Sequence, residues 1–493
     1  MRTRLSFLVS LVLISATALG ALQPAPAVAQ PGITTEADPF KDYKDLRWTT
    51  LRRFEGAPMP ALVDFRSTTV AHETVVPLDK EWELFGHKLT FSLTRGRLKY
   101  EHLEPGKDRA KSKSINRLPV VVELGREDAN SYMIALRTNQ KGDTLFVSSA
   151  WGTTVRVGRD QVFVVDSDRD GKLGSQGDGV IVPGSKTVAP FGNEIWTASG
   201  AIGIRYRKTE ADWQTCDLPM PKNDPDHAAA WHLLNWRRQM AGVPALRFED
   251  DEKVEATMVA HAKYAMRYGT EERKEDTALA GASTDSAAVA KQCITLLGAR
   301  SCVDGIDQLF TMAYARSEVL SGALTRTTML LEGSALIINT QKYTKGALRP
   351  VPVVWPPHGL TDLPRGFRKV GETPMPLPVP ADGNALGIVI GANVDTLSSV
   401  TELVPAPKIT LETPDDRGAL SPVAGQMVVP GARPEDAKVP KHNYGNFWFV
   451  PERTFPGATE FHASVTITFP SGTLCAGAQQ GNVFTYEWSF RTK

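Results

Sequence analysis

Asp166-Ser167-Asp168-Arg169-Asp170-Gly171 places carboxylates on alternate residues ahead of a glycine. Oxygen donors at that spacing can fold around a hard divalent cation, the glycine permitting the sharp turn. Asp178 is the next acid along the chain, so the loop implies a structural calcium ion (Ca2+) held by Asp166, Asp168, Asp170 and Asp178. The twelfth loop position is Gly177, which removes the bidentate acid of a helix–loop–helix site. A strand over 163–165, not a helix, leads into the loop. The competing reading is an Asp-rich hairpin turn whose side chains accept hydrogen bonds from nearby amides. On either reading the loop stabilises and does not catalyse.

The histidines read as structural. His261 sits beside Ala262 and Tyr264 on an apolar helical face, His227 and His232 lie near the start of another helix, and His358 belongs to a Pro-Pro-His-Gly turn. There is no Gly-x-Ser-x-Gly, no His-Glu-x-x-His and no Gly-rich phosphate loop. Nor does any His/Cys spacing suggest zinc. The four cysteines, Cys216, Cys293, Cys302 and Cys475, suit an oxidising compartment and allow three pairings. A Cys293–Cys302 bridge would close a small ring, a Cys216–Cys475 bridge would tie distant segments, and unpaired buried thiols are the other reading.

Two helices must position the central residues. The first begins with Asp226 as its N-cap, carries Ala230, Leu233 and Leu234 at helical spacing, and stops at Gly242, with Pro244 preventing restart. The second repeats Val254, Met258, His261, Ala262 and Ala265 and ends at Gly269. Before them, short alternating stretches at 88–93, 118–124, 132–136, 143–147, 161–165 and 202–206 predict antiparallel strands. After them, strands are expected at 386–390, 408–411, 426–429, 446–450, 461–469 and 485–491. The basic run 109–113 reads as solvated loop.

Asn235-x-x-Arg238, Gly242-Val-Pro-Ala-Leu-x-Phe and His261-Ala262-x-Tyr264 are followed by Ala280-Gly281-Ala-Ser283 and Val303-Asp304-Gly305. Later come Leu324-Thr325-Arg326, Trp355-Pro-Pro-His358-Gly359 and Glu372-x-Pro374-x-Pro376. In order and spacing these resemble the CAP superfamily (cysteine-rich secretory, antigen 5 and pathogenesis-related-1 proteins) over roughly residues 215–380. The form resembled is the bacterial secreted one, with a C-terminal immunoglobulin-like sandwich. With the leader and the alternating stretches, the expectation is a multidomain α+β chain: signal peptide 1–29, lead-in 30–75, N-terminal β-rich domain 76–212, and, as the resemblance implies, a central CAP-like α-β-α sandwich 213–371 and an Ig-like β-sandwich 372–493. Within the central unit it implies helices from Asp226, Lys253 and Cys302 onward, strands over 329–338 and near 351, and a further short helix over 289–297.

Members of the superfamily often gather two histidines and two acids in a cleft, in many cases around zinc. Here the usual His-x-Glu falls on Arg273-Lys274-Glu275, and the later His-Arg falls on Ala315-Arg316. Both imidazoles are replaced, so the resemblance implies a degenerate cleft with no metal. Its candidate residues are Glu275, Arg273, Ser283, Ala315 and Arg316.

Arg2 and Arg4 precede an apolar run over 5–19, and Ala27-Val28-Ala29 offers a cleavage site, as in an exported chain. No other stretch is long and apolar enough to span a bilayer, so a secreted or periplasmic protein is expected, with no transmembrane segment after cleavage. A net charge of +1 gives no bulk attraction to nucleic acid. Three functions remain: non-catalytic binding of an extracellular or envelope ligand, a protease-like hydrolase acting through the cleft, and lipid or sterol binding.

Overall fold

Alternating side chains become paired strands from residue 49 onward. The computed structural model describes most of 46–493; outside the description lie chiefly 52–56, 59–73, 126–130, 139–144, 208–211, 219–223, 343–351, 367–388, 395–402, 430–444 and 470–482, with some shorter stretches. The expected signal peptide, the Glu372–Pro376 exit and Cys475 fall outside the described residues.

Two four-stranded sheets come first. One is a meander of Glu81–Leu84, His87–Thr94, Arg97–Leu103 and Lys111–Ile115. Its first hairpin turns on Phe85 and Gly86, both at positive φ, as a two-residue primed turn requires. The other sheet runs Thr74–Val76, Leu145–Ser149, Ser131–Thr138, Val120–Gly125. Leu89, Phe91 and Leu98 from one face Leu124, Ile134 and Leu136 from the other in a single core. Each large apolar side chain so buried contributes about 1.5–3 kcal/mol.

A five-stranded sheet follows, ordered Ala189–Pro190, Gly179–Ile181, Asp160–Val165, Trp151–Val157, Ala57–Pro58. Beside it is a four-stranded sheet of Thr49–Leu51, Asp212–Asp217, Gly200–Arg207 and Glu194–Thr197. Strands 49–51 and 57–58 come from the expected lead-in, and strand 74–76 straddles its end.

All five helices of the described residues lie between 225 and 319: α1 (Pro225–Met240), α2 (Glu252–Tyr268), α3 (Thr284–Ala290), α4 (Cys302–Thr311) and α5 (Tyr314–Val319). Asp224, not Asp226, caps α1, accepting from the Asp226 amide. Gly269 at φ 59° closes α2, as its position predicts. Of the segment expected as a short helix over 289–297, Val289 and Ala290 end α3, while Cys293–Leu297 is a strand whose β-branched and apolar side chains are nearly all buried. It pairs with Ala335–Asn339, which pairs with Met329–Glu332. The strand expected over 329–338 is thus a hairpin, turning at Gly333. Val254, Met258 and Ala262 of α2 cover one face of this sheet. Ala230, Leu234, Ile306 and Leu309 of α1 and α4 share a core with Ile294, Leu336 and Ile338 on the other.

The C-terminal part forms two four-stranded antiparallel sheets. One is Leu420–Pro422, Lys408–Pro414, Glu460–Thr468 and Val483–Arg491. The other is Val353–Trp355, Ile390–Asn393, Asn446–Pro451 and Gly425–Val428.

These observations correct the fold class. The chain is β-rich, with thirty strands in many small sheets against five helices among the described residues. It is not a multidomain α+β chain with a separate central α-β-α sandwich; the helix-covered sheet is one of eight small sheets among the described residues. The physical reason is the core: Val162 and Ile204 before the helices, Leu234 and Phe310 within them, and Val465 and Phe484 after them belong to one continuous apolar cluster. The sheets on either side therefore share the helices' interior.

Candidate functional site

The polar centre of the helical region starts from His261, in the third turn of α2. Its Nδ1 lies 2.8 Å from Glu275 Oε1 and its Nε2 lies 2.9 Å from Thr295 Oγ1. Glu275 stands in the loop after α2, which Tyr264 steadies by accepting the Asp276 amide at 2.9 Å. The second Glu275 oxygen accepts from Ser286 Oγ at 2.7 Å, and Ser286 Oγ is 2.8 Å from Ser283 Oγ. The His261 and Glu275 side chains have no exposed surface. Their environment is one of low dielectric, where a satisfied network is rigid and a broken one is costly.

Ser283 is exposed and serves as the N-cap of α3. Its hydroxyl accepts the Ser286 amide while Ser286 returns a bond to the Ser283 amide, a reciprocal capping box.

Arg273 turns away from Glu275. Its Nη2 donates to Glu318 Oε1 at 2.6 Å, and Glu318 Oε2 accepts from Thr340 Oγ1 at 2.7 Å. Cys293 lies within the electrostatic reach of both ions, but burial dominates and pushes its thiol up to about 12. Cys216, Cys293 and Cys302 are buried thiols, and the Cys293–Cys302 bridge is not formed.

Ala315 and Arg316 are buried in α5, beneath the C-terminal sheet. The Arg316 guanidinium donates to the Phe310 carbonyl at 3.2 Å and lies 5.9 Å from the Trp355 ring centroid. Next to it, Tyr314 meets Trp448 edge-on at 5.0 Å. Of the five expected cleft residues, Glu275 and Ser283 are brought into one network. Arg273 joins a neighbouring ion pair, and Ala315 and Arg316 are packing residues. His261, Thr295, Ser286 and Glu318 complete these networks, and sequence spacing missed their partnership. A signal existed only for Ser286, three residues after a serine at a helix start.

The remaining motif residues brace backbone. Asn235 exchanges two hydrogen bonds with Leu246, and the buried Arg238 donates to the carbonyls of Pro244, Val319, Ser321 and Leu324. His227 Nε2 is 2.8 Å from the Met329 carbonyl, and His358 Nδ1 accepts the Ser489 amide at 2.8 Å.

In the N-terminal part, one carboxylate oxygen from each of Asp166, Asp168 and Asp178 lies within 4.8 Å of the other two. Asp170 is exposed and stands apart; its amide donates to Asp166 Oδ1 at 3.1 Å and Asp168 Oδ1 at 3.2 Å. Gly171, at φ 77°, donates to Asp166 Oδ2 at 2.9 Å. Gly177 leaves room for Asp168, since a Cβ there would meet the carboxylate oxygen at 2.0 Å. Burial, followed by the shared bond to Asp168, raises the Asp166 carboxyl to about 7. An all-oxygen set of this kind suits a hard cation, with Arg169 supplying a competing positive charge to the same acids.

Comparison with protein families and with curated proteins finds no match. Among solved structures, the chain is similar to an extracellular protein containing a SCP domain from Bacillus anthracis. The two are 9% identical, the likeness covers 54% of this chain and 89% of the other, and the TM-score is 0.20. A likeness that slight carries no conclusion about fold or function. No helix of the described residues is long and apolar enough to cross a membrane.

Proposed function

We propose that this chain is a secreted binding protein for an extracellular or cell-envelope component, and that its polar centre holds structure without catalysing. The observation that supports this is the saturation of His261: both ring nitrogens are bonded internally, to Glu275 and Thr295, with ring and carboxylate buried. An imidazole so held can serve a substrate only through the Thr295 hydroxyl it faces, and that hydroxyl is buried with it. The exposed hydroxyl beside it, Ser283, is committed to capping α3.

A second reading is an extracellular hydrolase. The order Glu275, His261, Thr295 has the connectivity of an acid–imidazole–hydroxyl relay. It requires the loop over 270–283 to open, because Thr295 is 2% exposed. Calcium at Asp166, Asp168 and Asp178 fits either reading as a stabilising ion.

The test pairs sedimentation with isolated envelope fractions and a panel of peptide and ester substrates, using the full chain. Co-sedimentation without turnover is expected. Turnover that disappears in both Thr295→Ala and Glu275→Gln would replace the binding reading by the hydrolase.

A further inference from the structure

Alternation along His87–Thr94 and Arg97–Leu103 puts Leu89, Phe91, Leu98 and Tyr100 on the face that packs against the neighbouring sheet. His87 and His102 share that face and are 2% and 8% exposed. Nδ1 of His87 lies 2.7 Å from Nε2 of His102, with ring centroids 4.8 Å apart. Nitrogens at that separation share one proton, one ring donating and the other accepting. When both rings are fully protonated, two N–H donors point at one another. The bond is then lost and two like charges are buried.

Around His102 the neighbouring charges oppose one another. Glu104, just past the end of the His102 strand, favours protonation, but its carboxylate holds Lys111 at 2.5 Å, and that ammonium opposes it. Lys111 belongs to the adjacent strand Lys111–Ile115, in register with His102. On strand Glu81–Leu84 the acids Glu81 and Glu83 act on Lys88. From the facing sheet Glu123 points outward to solvent, while Tyr132 and apolar side chains point inward. Burial, and then the neighbouring His87, hold His102 below the ordinary imidazole value.

We propose that His87 and His102 form a proton-operated latch between adjacent strands of one sheet: neutral, the pair ties His87–Thr94 to Arg97–Leu103, and doubly protonated it releases them. The site is separate from the His261 network, and the inference does not rest on the proposed function.

Ring-nitrogen NMR of the full chain, titrated from pH 8 to 5 with parallel amide hydrogen exchange, tests it. As pH falls towards 5, past the unperturbed imidazole value of about 6.5 and into the lowered range of His102, protection in strands His87–Thr94 and Arg97–Leu103 should fall while that in Glu460–Thr468 persists. The double variant His87→Phe/His102→Leu should lose this pH dependence. Half-exposed His462 supplies a reference ring. The latch is overturned if protection in the two strands holds to pH 5, or if the double variant keeps the same pH dependence. Should that variant fail to fold, titration and exchange of the unmodified chain decide alone.

Discussion

Asp226 reaches from the first turn of α1 to the start of α4, where its Oδ2 accepts the Cys302 amide at 2.5 Å and its Oδ1 the Val303 amide at 3.3 Å. Ser301 takes the next amide, that of Asp304, at 3.1 Å. Three donors that a helix start leaves unsatisfied thus find acceptors, two of them on another helix. Asp226→Ala should cost about 1–3 kcal/mol by leaving those amides without their acceptor. Ser301→Ala should cost about 1 kcal/mol, the usual loss of an N-cap. Urea unfolding of the two variants measures the difference.

Glu275 and Ser283 allow a similar contrast. Glu275→Ala removes the acceptor for both His261 Nδ1 and Ser286 Oγ, inside a region without exposed surface. A loss of about 2–5 kcal/mol follows from two buried polar groups left unmatched. Ser283→Ala removes only a cap at an exposed helix start and should cost about 1 kcal/mol. Denaturation midpoints check the order; equal costs would mean that the His261 network is not a structural tie.

The sequence discloses periodicity well and partnership poorly. The six alternating stretches before the helices, such as 88–93 and 161–165, lie mainly inside observed strands, and the Gly269 stop is where expected. Lys111–Ile115 was missed because an edge strand with four exposed residues has no apolar alternation to read. Asp226 looked like its own helix's cap because the pattern of a cap is local, whereas its use here spans 76 residues. Thr295 carried no signal at all: a threonine in a buried strand is ordinary, and only the fold brings His261 to it. The α+β expectation failed for a related reason. Helical spacing marks helices, but nothing local shows that sheets on either side will share their core.

Gly391 shows what Arg316 does in place of a cleft role. A Cβ at Gly391 would lie 2.6 Å from Trp448 Cδ1 and 3.3 Å from Arg316 Nη2. The bare backbone lets the indole and the guanidinium pack between α5 and the C-terminal sheet. Gly391→Ala should therefore destabilise the chain by about 1–3 kcal/mol, the range for overfilling a packed interior. Thermal unfolding reads this directly, and a neutral result would show that Trp448 has room to shift.

Cys293 should be inert. With its thiol held near 12 by burial, the reactive thiolate is scarce at neutral pH. Alkylation of the native chain with iodoacetamide, followed by peptide mass mapping, should leave Cys293 unmodified, and urea should expose it.

The acidic loop couples calcium to pH in a direction that can be worked out. Asp166 has its carboxyl raised from 3.8 to about 7 in the folded chain. A raised acid binds its proton more tightly when folded, so its contribution to stability is complete below 3.8 and is lost as pH rises through about 7. A cation bridging Asp166, Asp168 and Asp178 would take over from that proton and release it on binding. Added calcium should thus raise the melting temperature more at pH 8 than at pH 5.5. Asp168→Asn, which removes a charge from the cluster, should diminish the calcium effect and flatten the pH dependence in its absence. Melting curves with and without calcium at the two pH values check both outcomes. If calcium gives no shift at pH 8, the loop is an Asp-rich turn, and Asp166 and Asp168 serve as acceptors for the Asp170 and Gly171 amides.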